Sequence, residues 1–124
     1  MRPPRALTVL FALLAGAALA CVTPSVPIPP PSPDKMDFDI DLGAGTVQFR
    51  YAEDASYGGA IVYVFNRDQG AGIITVARPD GTVGPTDPFP GALGDDVVVT
   101  FEVETQVAST CVEIGEGFLL ECGL

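Results

Sequence analysis

The sequence has no histidine and no tryptophan, and beyond its first five residues only four basic side chains, Lys35, Arg50, Arg67 and Arg78. Without histidine there is no imidazole to act as a base near neutral pH, and no nitrogen ligand of the usual kind for a transition metal. No G-x-S-x-G elbow and no phosphate-cradling glycine loop appears either. An enzyme is not expected, and no cofactor is implied. The shortage of positive charge excludes a second class. Arg2 and Arg5 precede the only long apolar run, so the remainder sets four basic residues against all 16 acids, a formal charge of −12. Phosphate backbones repel such a chain, so nucleic acid is not a partner. Long apolar stretches are also scarce. Ala6 to Ala20 is the one run, 15 residues, and as a helix it would reach only about 22 Å, short of a hydrocarbon core of about 30 Å.

What is present begins with that run. Residues 1–21 read MRPPRALTVLFALLAGAALAC: two arginines, an apolar core and small residues at the end, the plan of a secretory signal peptide over 1–20. The segment Ala18-Leu19-Ala20-Cys21 resembles the lipobox of bacterial lipoproteins, with Ala18 at the place the family usually gives to Leu. The resemblance implies that Cys21 carries a thioether-linked diacylglyceryl group and becomes the mature N-terminus, so the membrane is a partner through a lipid anchor. Several acyl chains supply stable anchoring where one would not. Ala18-Leu19-Ala20 also satisfies the A-x-A pattern of ordinary secretion, which would release a soluble protein from the same bond. Val22 follows the cysteine in place of the Asp that retains family members at an inner membrane, which implies the outer membrane of a two-membrane envelope.

Residues 21–35 form the next unit. Val22 to Pro33 holds prolines at 24, 27, 29, 30, 31 and 33. Proline fixes φ and removes donors, so a polyproline II tether is expected here, roughly 35–40 Å long at about 3.1 Å per residue.

From Met36 to Leu124 helix signals vanish and alternation of period two takes over. Phe38, Ile40 and Leu42 share one face, with Asp37, Asp39 and Asp41 on the other. Val47, Phe49 and Tyr51 alternate after the Gly43-Ala44-Gly45 break. Ala60 to Phe65 and Ile73 to Ala77 are apolar on both faces, as for central strands, with Gly70-Ala71-Gly72 read as the hairpin loop between them. Pro79-Asp80-Gly81 makes a turn, and Gly84 to Gly94, with three more prolines, a loop or irregular edge. Val97 to Val107 reads as one strand, with Val97, Val99, Phe101 and Val103 inward and Thr100, Glu102 and Glu104 outward. A tight turn at Glu116-Gly117 would set Cys111 opposite Cys122, so a disulfide between them is expected in an exported chain, leaving Cys21 for lipid. These readings predict an all-β fold, a small antiparallel β-sandwich over 36–124.

The stretch from Gly59 to Glu102 resembles bacterial Ig-like surface modules. The matching features are Gly59 to Asn66 (GAIVYVFN), Asp80-Gly81-Thr82 and Gly94 to Val99 (GDDVVV), with Val83 where the family has an aromatic. The resemblance implies adhesion or spacing with no activity of its own. Calcium is weighed at Asp37, Asp39 and Asp41, but a calcium loop beginning there would need Gly and Glu where Leu42 and Gln48 stand. Glu53-Asp54 and Asp95-Asp96 are weaker candidates. The function expected is a structural or interaction module of the cell envelope. The alternatives are a glycan or protein binder using exposed Tyr51, Tyr57 and Tyr63, and an accessory subunit whose edge strand completes a partner's sheet.

Overall fold

The computed structural model describes residues 26–124. The chain is all-β: two antiparallel sheets, of three and five strands, pack face to face as a small sandwich. Strand β1 is Met36–Asp41, β2 Thr46–Tyr51, β3 Ile61–Asn66 and β4 Ala71–Val76. Then come the two-residue β5 (Phe89–Pro90), β6 Asp96–Val103, β7 Gln106–Glu113 and the two-residue β8 (Glu121–Cys122). The smaller sheet is ordered β1-β2-β5 and the larger β4-β3-β6-β7-β8.

Alternation decides which side chains meet between the layers. Val47, Phe49 and Tyr51 of β2 are buried against Val97, Val99 and Phe101 of β6 and Val62 and Val64 of β3. Tyr51, Tyr57 and Phe101 form an aromatic knot. The Phe101 centroid lies 4.9 Å from Tyr51, edge to face, and 4.3 Å from Tyr57. Such pairs add about 0.5–1.5 kcal/mol each beyond their buried area. Asn66 is the one fully buried polar side chain of the β3–β4 corner. Its Nδ2 donates to the Pro90 carbonyl at 3.1 Å and to Asp95 at 2.9 Å, while its Oδ1 accepts from the Asp68 and Gln69 amides at 3.0 and 3.1 Å.

The turn at Pro79-Asp80-Gly81 forms as its residues require. Asp80 accepts from the Thr82 amide at 3.0 Å, and Gly81 sits at φ 87°. A Cβ on Gly81 would lie 1.7 Å from the Asp54 carbonyl oxygen, so no other residue fits there.

Four expectations are corrected. Leu42 lies beyond the end of β1 and is exposed, because the chain turns at Asp41 to Gly45. The β3–β4 turn is Arg67 to Gly70, and Ala71 and Gly72 already belong to β4. The strand expected to run to Val107 reverses at Glu104-Thr105, with Glu104 at φ 56°, and β7 returns beside β6 from Val103↔Gln106 to Asp96↔Glu113. The terminal hairpin keeps the expected register, Cys111↔Cys122, but has no tight turn at Glu116-Gly117. A longer excursion carries Ile114 and Leu119 into the core.

The proline stretch is a spacer only in part. From Ile28 on it lies on the sandwich as a strap. The Ile28 amide donates to Gln106 Oε1 at 2.7 Å, Thr110 Oγ1 donates to the Pro31 carbonyl at 2.6 Å, and the Ser32 amide donates to the Tyr51 hydroxyl at 3.0 Å. Tyr57 donates its hydroxyl to the Pro29 carbonyl, and Pro31 is buried. Prolines lack donors, but their carbonyls accept and their rings bury, so the strap supplies what these side chains need.

Candidate functional site

Cys21 and the signal segment before it lie outside the described residues. The other expected site residues can be located. Cys111 and Cys122 form a disulfide, with Cα atoms 4.9 Å apart. Asp96 lies beside the two sulfurs, and these three are the one group of possible metal ligands close together among the described residues. Sulfurs joined to each other cannot serve as thiolate ligands. Arg67 covers the bridge instead, with Nη2 3.2 Å from Cys111 Sγ and 3.3 Å from Asp96 Oδ2.

Five of the seven acids considered for calcium, Asp39, Asp41, Asp54, Asp95 and Asp96, have side-chain partners from the chain itself. Asp39 pairs with Arg50 across β1 and β2, and Asp41 accepts from the Ala44 amide. Burial pushes the Asp54 carboxyl up, but the Ser56 amide and Lys35 Nζ, 3.0 and 3.1 Å away, outweigh it and hold the group below its usual value. Asp95 is held low chiefly by the Asn66 amide, against some burial, with Gln69 and the Ala92 N–H adding to it. These carboxylates cap turns and close corners.

The tyrosines proposed for ligand stacking divide. Tyr51 and Tyr57 are 2% and 0% exposed and belong to the core, so they are corrected from surface to interior. Burial raises both hydroxyls, Tyr57 to about 12. Tyr63 alone faces outward, and it donates to Glu102 Oε2 at 2.9 Å.

The outer face of the β3–β4 hairpin is where chemistry and geometry leave something over. The register Ile61↔Val76, Tyr63↔Ile74 and Phe65↔Gly72 puts all six residues on the solvent side. Phe65, Ile74 and Val76 are 47%, 67% and 61% exposed. Gly72 leaves a notch beside Phe65, bordered by Tyr63, Ile73 and Ile74, which a Cβ would close by meeting the Val64 carbonyl oxygen at 2.1 Å. The sequence shows apolar character on both faces of these segments. Read as the mark of central strands, it holds for β3, but β4 is an edge strand and its outer face is uncovered.

The sheet edges differ in how they are protected. Strand β1 carries Asp37, Asp39 and Asp41, β5 is two residues long and ends in Pro90, and β8 is two residues long with Glu121. Beyond β8, Pro30 lies beside Ser109 and Thr110 of β7. Charge, proline and brevity are the usual means of blunting an edge. Strand β4, with the sequence AGIITV, has none of them.

No family model, curated protein or solved structure matches the chain.

Proposed function

We propose that the chain is a lipid-anchored envelope protein whose sandwich works by contact, through the bare β4 edge and the apolar face beside it. The observation that supports contact is the contrast among edges: three are blunted and one, uncharged and six residues long, is open. An open edge offers backbone donors and acceptors to an added strand, and the neighbouring apolar side chains offer specificity. The same observation favours the accessory-subunit reading over glycan binding, since two of the three tyrosines are interior.

The anchor rests on the signal-like segment, the lipobox-like residues ahead of Cys21 and the cysteine left over once Cys111 and Cys122 are joined. With the strap held from Ile28, only Val22 to Pro27 separates the anchor from the sandwich. As polyproline II that link spans about 19 Å, half the length expected of a free tether. The domain therefore stands close to its membrane, the outer one in a two-membrane envelope, with the Gln106 end of β7 nearest the link. Fractionation tests the anchor: wild type should sediment with membranes, and Cys21→Ala should move to the soluble fraction. Wild type found soluble, with the same distribution as the variant, would reduce the proposal to plain secretion.

A further inference from the structure

The occupant of the β4 edge can be argued from the edge itself. The Ala77 amide donates to the Ala60 carbonyl at 2.8 Å, so Ala77 directs its backbone groups toward β3. Antiparallel ladders alternate, so Thr75 and Ile73 do the same, while Gly72, Ile74 and Val76 turn their N–H and C=O groups to the open side. Those three residues are also the ones whose side chains lie on the apolar outer face.

We infer that a second copy of this chain pairs with β4 in antiparallel orientation, with Ile74 on the two-fold axis. In that register Ile74 faces Ile74, and Gly72 of each copy faces Val76 of the other, so every outward-directed backbone group between Gly72 and Val76 finds a partner. The two five-stranded sheets become one. Any other register of the same kind leaves at least one of these residues unpaired. The side chains suit it as well, since the smallest residue of the set meets a branched one and the two isoleucines meet each other.

Charge selects this contact over others. The described residues are strongly acidic, so most faces of two copies repel. Strand β4 has no ionisable side chain. Its flanks carry Arg67 and Asp68 at one end and Arg78 and Asp80 at the other, so antiparallel pairing brings one arginine and one aspartate from each copy to each end. Those four flanking side chains balance one another, although Arg67 is also shared with Asp96. Pairing edge to edge covers only the β4 side chains Ile74 and Val76 and leaves Ile61 and Phe65 on the open outer face, so it buries less apolar surface than a stable dimer in solution uses; the pair is weak when free and is favoured by confinement on a membrane.

This inference rests on the contact reading above, but its test separates the two. Ile74→Cys, introduced into the full chain and oxidised mildly in native membranes, places two thiols at a cross-strand position within disulfide range. It should give a covalent homodimer at least tenfold faster than Val107→Cys, an equally exposed site on the outer face of β7. Adding Val76→Lys to Ile74→Cys should abolish that product without changing the melting temperature, because both side chains are exposed. Equal cross-linking from positions 74 and 107, or a product that survives Val76→Lys, overturns self-pairing. If Ile74→Cys instead cross-links only to a different protein, contact at β4 stands and the second copy is excluded. If the protein proves soluble, the same oxidation on the purified chain at high concentration decides the question unchanged.

Discussion

Asn66 should be the most costly polar residue of the sandwich to lose. It makes four hydrogen bonds from a fully buried position, and its partners sit on three separate segments: Pro90 on β5, Asp95 before β6, and the Asp68 and Gln69 amides of the β3–β4 turn. In Asn66→Ala each of those partners loses its bond; Pro90, Asp68 and Gln69 are exposed residues whose groups regain water, so the cost is chiefly that of the bonds themselves. Each net hydrogen bond contributes about 1 kcal/mol. With some relaxation of the exposed turn, about 3 kcal/mol is expected, a fall in melting temperature of roughly 12–15 °C for a domain of this size. Asn66→Asp is the sharper variant. It keeps the acceptor for the turn amides but sets a carboxylate against Asp95 and the Pro90 carbonyl. Like charges raise the shared pKa, so this variant's stability should fall as pH rises through that value, and its deficit should be larger at pH 7 than at pH 5. Circular dichroism melts at the two pH values read both effects. A loss under about 3 °C for Asn66→Ala, or a deficit for Asn66→Asp independent of pH, would refute the assignment of Asn66 as the tie between the sheets.

Reducing the Cys111–Cys122 bridge, which closes a sequence separation of 11 residues, should cost about 3 kcal/mol, read as a lower denaturation midpoint with an m-value slightly raised by the less constrained denatured state. Asp95 is held below its ordinary value, so its contribution is present above about pH 4 and lost as pH falls through the folded pKa; Asp95→Asn should be less stable than wild type at pH 7 and show a flatter acid limb. Tyr57 is raised by burial to about 12 from an ordinary 10, so it favours folding below pH 10 and that gain is lost between the two values. Tyr57→Phe should cost about 1 kcal/mol at pH 7 through the lost bond to Pro29, while losing less stability than wild type on titration above pH 10.

Much of the sandwich could be read locally, and most of the failures share a cause. Strand β2 is recovered to the residue because Val47, Phe49 and Tyr51 alternate with polar neighbours and face a single core. The Cys111–Cys122 register follows from counting back from the hairpin centre, and it survives the longer excursion because Glu113 N–H still meets the Leu120 carbonyl. The reversal at Glu104-Thr105 carries no turn dipeptide. It is imposed by the eight-residue ladder between β6 and β7, which holds Glu104 in a left-handed conformation that its own preferences resist. The strap escaped notice because its partners, Tyr51, Tyr57, Gln106 and Thr110, lie 19 to 79 residues away and no local pattern encodes them. The β3–β4 face escaped for a different reason. Apolarity on both sides of a strand is equally compatible with burial on both sides and with one side kept for a partner.

The proposed role at the envelope depends on this sandwich being held to a membrane through Cys21. Mass spectrometry of the N-terminal peptide from protein extracted out of native membranes tests it directly. The expected peptide begins at Cys21 and is heavier than its unmodified mass by a diacylglyceryl group, with or without a further amide-linked acyl chain. A peptide beginning at Cys21 with a free thiol, or one that still carries residues 1–20, would contradict it.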